Sequence, residues 1–152
     1  MIDVGTGLFT VAVFQDVPWA RKGLGALTQA GFTPLSLSII AKNGVEAASL
    51  IEQTFGAPGE SLELTAIGAI VARGPLVDAL QGPSRDLPKL GLARTMRRVG
   101  FQAHDARIFE VLTGRGGILV AIRSEPRAAD ALAIFHSYGG GNAAIGAWTG
   151  RV

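Results

Sequence analysis

The residues with chemical potential in this chain are few. The most suggestive run is Gly114-Arg115-Gly116-Gly117, with Arg123 close behind it. Glycines expose backbone N–H groups, and a neighbouring guanidinium can hold an anion. Arg115, Gly116, Gly117 and Arg123 are therefore the candidate ligand-binding residues. The order of elements argues for a plainer reading. A phosphate cradle runs from strand to helix, so that the helix N-terminus faces the anion. This run leads from a predicted helix into a predicted strand, which suits a helix C-cap and tight turn.

Lys89, Arg94, Arg97 and Arg98 form the one basic cluster. Positions 94, 97 and 98 share a face if the segment is helical. An acidic partner or an RNA would fit such a face, and so would water or salt bridges to a second subunit. Aromatic residues do not interleave with the arginines, so a single-strand nucleic-acid platform is not expected. Arg94, Arg97 and Arg98, together with Trp148 in the glycine-flanked tail, are the candidate interface residues.

No catalytic or metal constellation emerges. His104 and His136 are the two histidines, and His104-Asp105 are adjacent, a spacing at which helical residues rarely face each other. No cysteine is present, so a thiolate nucleophile, a disulfide framework and a cysteine metal site are excluded. None of the serines sits in G-x-S-x-G, and no phosphate-loop or dinucleotide fingerprint occurs. No catalytic residue, metal or cofactor is assigned.

The elements that must position these residues follow a repeated order. Val11-Ala12-Val13 precedes Asp16, Val17, Pro18 and an Ala/Leu-rich stretch, and Val120-Ala121-Ile122 precedes Ser124, Glu125, Pro126 and another. Asp16 and Ser124 are predicted helix N-caps, with proline tolerated in the first turn. Phe9 to Phe14 is a continuous apolar strand, as expected of one covered on both faces or of a central one. Leu35 to Ala41 alternates and predicts a strand with Ser36 and Ser38 on a polar face. Val45 to Phe55 predicts a helix, Leu62 to Val71 a third strand, Ile118 to Arg123 a fourth, and Asn142 to Trp148 a last one. Between them, Leu76 to Leu80, Leu90 to Val99 and His104 to Leu112 predict helices. The fold class expected is α+β. It is a duplicated βαβ with a ferredoxin-like sheet, helices largely on one face, in a single domain. One βαβ half spans about 8–56, a helical insertion about 57–113, and the second half about 114–148.

Bulk composition bounds the partners. Charged residues make up 17% of the chain, low against the roughly 25% of an average soluble domain. With a mean hydropathy of +0.35, some apolar surface is expected to be covered by a second copy or by another subunit. The net charge of +2 is too small to imply nucleic acid. The first residues lack a basic region followed by an apolar one, and the longest apolar stretch, Ala66 to Ala72, is too short to span a bilayer. No membrane insertion and a cytoplasmic location are expected.

Several segments resemble the YflT-like heat-induced or general stress protein domain of bacteria. Phe9 to Lys42 looks like the opening of that family. Ala69-Ile70-Val71-Ala72-Arg73-Gly74-Pro75-Leu76 resembles its apolar strand ending at Gly-Pro-Leu. Gly100-Phe101 with Ala106, Phe109 and Leu112 resembles its amphipathic helix, and Gly116 to Arg123 its glycine pair and strand. The glycine-zipper-like segment of many members is missing here, where only Leu64 to Gly68 stands. The resemblance implies a stress-linked protein and supplies no catalytic residues. The expected function is that of a non-enzymatic protein acting through self-association or as a partner-binding subunit. The alternatives are a sensor of a small anion or nucleotide at a subunit interface and an enzyme whose site is completed by a second chain.

Overall fold

Five strands of five or six residues, four of them mainly apolar, pair into one antiparallel sheet in the order β1-β5-β2-β4-β3. The strands are β1 (Phe9–Phe14), β2 (Leu37–Lys42), β3 (Glu60–Leu64), β4 (Gly68–Arg73) and β5 (Ile118–Arg123). The helices are α1 (Val17–Gln29), α2 (Val45–Phe55), α3 (Pro75–Gln81), α4 (Leu87–Leu90), α5 (Leu92–Arg98), α6 (Ala103–Gly114) and α7 (Ala128–Phe135). The computed structural model describes residues 9–123, 128–135 and 137–138. The Ser124 cap, His136, the predicted last strand and Trp148 lie outside the described residues.

Side-chain alternation sends the residues of β1, β2, β4 and β5 into two separate cores. Ala12, Val120 and Ile39 are in register across β1, β5 and β2 and pack against α1, α2 and α7. Val13, Leu119, Ile40 and Ala72 are in register across β1, β5, β2 and β4 and face α3 to α6. The sheet is thus covered on both faces. That corrects the expectation of helices largely on one face, and the reason is in the strands. β1 and β5 carry large apolar residues at odd and even positions alike, so neither face can be left to water. The helices of the predicted insertion form the whole of one layer. β5 lies between β1 and β2, so the first predicted half opens to admit a strand from the second.

Local chemistry explains where each element begins and ends. The Asp16 carboxylate accepts the Trp19 N–H at 3.0 Å and caps α1. A Cβ on Gly23 would sit 2.6 Å from Cζ of Phe14, so that glycine brings α1 down onto the sheet. Gly25 on the same helix has open space beside it, and packing does not account for it. The predicted strand from Leu35 starts two residues late. Pro34–Ser36 form a 3-10 turn instead, tied by a 2.8 Å bond from Ser36 Oγ to the Thr33 carbonyl, which leaves Leu35 88% exposed. Ser38 is not on a polar face. It is fully buried, and its hydroxyl accepts the Leu76 N–H at 2.8 Å, capping α3 from the neighbouring strand. The predicted third strand is a hairpin, β3 and β4, turned at 65–67 with Gly68 at φ +94°. Glu60 and Glu63 on outer strand β3 discourage pairing with another sheet edge.

Candidate functional site

The glycine run at the end of α6 is built from backbone bonds that are already made. Arg115 N–H donates to the Val111 and Leu112 carbonyls, Gly116 N–H to Thr113 and Gly117 N–H to Leu112, at 3.0–3.1 Å. These close the helix C-terminus, with Gly116 at φ +102°. Gly117 is wedged between β1 and α6, where a Cβ would approach Val13 Cγ1 to 2.6 Å and the Leu112 carbonyl to 2.8 Å. No donor in this run is turned outward for an anion, apart from the exposed Arg115 side chain. Arg123 stands at the other end of β5, about 17–20 Å away for a six-residue strand. There its guanidinium lies 5.5 Å from the centre of the Phe9 ring. The structure does not bring the predicted ligand residues together.

The arginines of α5 are brought together. Leu92, Thr95 and Met96 point into the core, which turns positions 94, 97 and 98 outward on the opposite side. Arg98 is tied down: Nη1 bonds Asp86 Oδ2 at 2.8 Å and Nη2 donates to the Leu80 carbonyl at 2.7 Å. Among the described residues, Arg94 and Arg97 make no side-chain hydrogen bond or ion pair. All three line an open groove of about 490 Å³ with Phe101 and Ala103. Phe101 is 3% exposed and stacks edge-on against Phe109, so the floor is rigid and apolar.

Ala103 opens α6, a twelve-residue helix whose N-cap residue, Gln102, offers no side-chain cap to the first-turn N–H groups. His104 is exposed and Asp105 half-buried in that first turn. Phe101 and Ala103 are functional candidates that sequence reasoning missed. The available signal was the Val99-Gly100-Phe101 corner, with Gly100 at φ +115°, which folds α6 back beside α5.

A second concavity of about 450 Å³ lies where β4 turns into α3, lined by Pro34, Leu35, Phe55, Arg73, Pro75 and Asp78 among others. Its arginine is occupied. Arg73 Nη1 donates to the Pro58 carbonyl at 3.1 Å, and the guanidinium lies 5.9 Å from the Phe55 ring centre. Glu60 at its rim is paired with Arg85. Gly74 shapes this turn: at φ +126°, a Cβ would fall 2.3 Å from the Leu37 carbonyl oxygen. Gly74-Pro75-Leu76 is thus a packing motif, and the cleft beside it is not legible in the sequence.

Among the described residues, no group of three or more His, Asp or Glu side chains gathers to hold a metal ion. Nor is any helix there long and apolar enough to cross a membrane. No family model, no curated protein and no solved structure matches this chain.

Proposed function

We propose that the chain is a non-enzymatic binding module, a self-associating protein or complex subunit whose contact surface is the arginine face of α5. One observation carries this reading. Arg94 and Arg97 are exposed and without a partner among the described residues, beside an Arg98 already fixed by two hydrogen bonds. Two adjacent guanidiniums repel each other, and that repulsion is relieved when a partner supplies anionic groups. Arginine is also among the residues that most often dominate binding energy at protein contacts. The low charged fraction of 17% supports the burial of apolar surface elsewhere on the chain when it associates.

The YflT-like general stress role belongs to the same proposal. The residues on which the resemblance rests, such as Gly74, Phe109 and Gly117, are packing residues here, so they support a shared fold more than a shared task. The ferredoxin-like duplication is part of it too. The order β5-β2-β4-β3 supports a ferredoxin-like sheet, while two things count against the duplication: β3 and β4 come from the predicted insertion, and α3 to α6 form a layer on the opposite face from α1 and α2.

The test is native mass spectrometry and sedimentation of the protein taken gently from its own host, beside an Arg94→Glu/Arg97→Glu variant. An oligomer or a co-purifying subunit that the charge reversal releases supports the module. A strict monomer without a partner at tens of micromolar, or an assembly unchanged by the reversal, rejects it.

A further inference from the structure

We propose that the groove between α5 and α6 is a phosphate-binding site. It takes the dianion of a phosphate monoester, carried by a small molecule or by a phosphorylated partner side chain. The inference rests on the reading of the α5 face as the binding surface and names the group it recognises. Three features of the groove select for this chemistry.

The first is donor number. Arg94, Arg97 and Arg98 line one concavity, and Arg94 and Arg97 present planar N–H pairs that no described residue takes. A single carboxylate has two oxygens and one charge, and one arginine fork satisfies it. A phosphate monoester has three free oxygens and nearly two charges, and it can engage more than one fork at once.

The second is preorganisation. Arg98 is held by Asp86 and the Leu80 carbonyl, so one wall of the site does not have to be ordered on binding. Asp86 offsets part of the Arg98 charge, so the net attraction falls mainly to Arg94 and Arg97.

The third is the wall opposite. Ala103 lines the groove and begins α6, where Gln102 supplies no side-chain cap. The first-turn N–H groups have no carbonyl partner within the helix, and the end of the helix carries partial positive charge. Three arginines and the first residue of α6 therefore border one concavity. Asp105 is the opposing group, since its carboxylate occupies the first turn of α6 and competes with an incoming anion. His104 beside it is exposed.

The probes are inorganic phosphate, a peptide carrying one phosphoserine, and acetate at matched ionic strength. Binding is read from backbone amide NMR shifts at residues 94–105. Expected are saturable shifts with phosphate and little response to acetate. The Arg94→Ala/Arg97→Ala variant should weaken phosphate by about tenfold or more, as the loss of charge-assisted bonds implies. Asp105→Asn should tighten it. A phosphoserine peptide that binds more tightly than inorganic phosphate, with added shifts beyond the groove, identifies a phosphorylated partner as the source. Equal affinities with shifts confined to the groove identify a small phosphorylated ligand.

The proposal is overturned if acetate matches phosphate, or if the double alanine variant binds phosphate as well as the parent. Its failure is separable from failure of the module. A charge-sensitive assembly with no phosphate preference keeps the partner surface and removes the phosphate site. Phosphate binding to a protein that never associates does the reverse.

Discussion

The end of α6 and its beginning invite comparison. At the C-terminal end, Gly114-Arg115-Gly116-Gly117 has the composition of an anion site, yet every backbone donor from Arg115 to Gly117 is spent on closing the helix. At the N-terminal end, Gln102 and Ala103 look unremarkable, yet the first-turn donors stand without a side-chain cap beside three arginines. A glycine-rich run exposes N–H groups only if nothing nearby needs them, and a helix C-terminus needs them. Composition names the groups, and direction along the chain decides whether they remain available.

Substitutions at the two ends should therefore have opposite signatures. The largest effect is expected at Gly117→Ala. The new methyl would meet Val13 and the Leu112 carbonyl at 2.6 and 2.8 Å, and backbone cannot step aside as a side-chain tip can. Overpacking of this kind costs about 2–3 kcal/mol, which lowers the melting temperature of a chain this size by roughly 5–10 °C. Thermal melting monitored by circular dichroism reads the loss. A melting point within a degree of the parent would mean that the junction of β1 and α6 is looser than these distances.

Arg98→Ala comes next. It removes the ion pair to Asp86 and the bond that satisfies the Leu80 carbonyl. The pair is partly exposed, at 39% for the Arg98 side chain and 24% for Asp86, so solvent weakens it. The expected loss is about 1 kcal/mol, most of it from the carbonyl left without its donor. Arg98→Lys should recover only part, since one ammonium does not reproduce a fork that reaches two acceptors. Urea denaturation midpoints of the three proteins check the order.

The sheet was largely legible in the sequence because its strands are short apolar runs bounded by turn residues. Phe9 to Phe14 and Ile118 to Arg123 match β1 and β5 to the residue, and Val45 to Phe55 matches α2. Strand order was not legible. The interleaving of β5 between β1 and β2 depends on long-range pairing, which periodicity does not encode. Ser38 shows a related limit: it is polar in an alternating strand, which reads as facing water, but its partner is the Leu76 N–H from an element that follows much later. The candidate site was legible as a set of arginines and not as a groove. Spacing puts positions 94, 97 and 98 on one helix face, while the Gly100 corner that adds Phe101 and Ala103 is a matter of a single φ angle.

Arg123→Ala should have a smaller effect. Its guanidinium over Phe9 contributes about 0.5–1 kcal/mol at an exposed site. Because Arg123 is not among the residues that line the groove, the groove's amide shifts with phosphate should not change. A changed phosphate affinity in this variant would mean that Arg123 contributes to the site.

The smallest effect on stability, and the largest on binding, is expected for Arg94→Ala/Arg97→Ala. Neither side chain bonds anything among the described residues, so removing both should change the unfolding free energy by no more than about 0.5 kcal/mol. The sign is expected to be favourable, because adjacent positive charges on one helix face oppose each other. Paired denaturation and NMR titration of this variant separate the two ends of α6. Gly117→Ala should lose stability and keep phosphate, and Arg94→Ala/Arg97→Ala should keep stability and lose phosphate. A clear fall in stability of the arginine variant would show that these side chains already serve the fold, and the groove would then have no free guanidinium to offer a ligand.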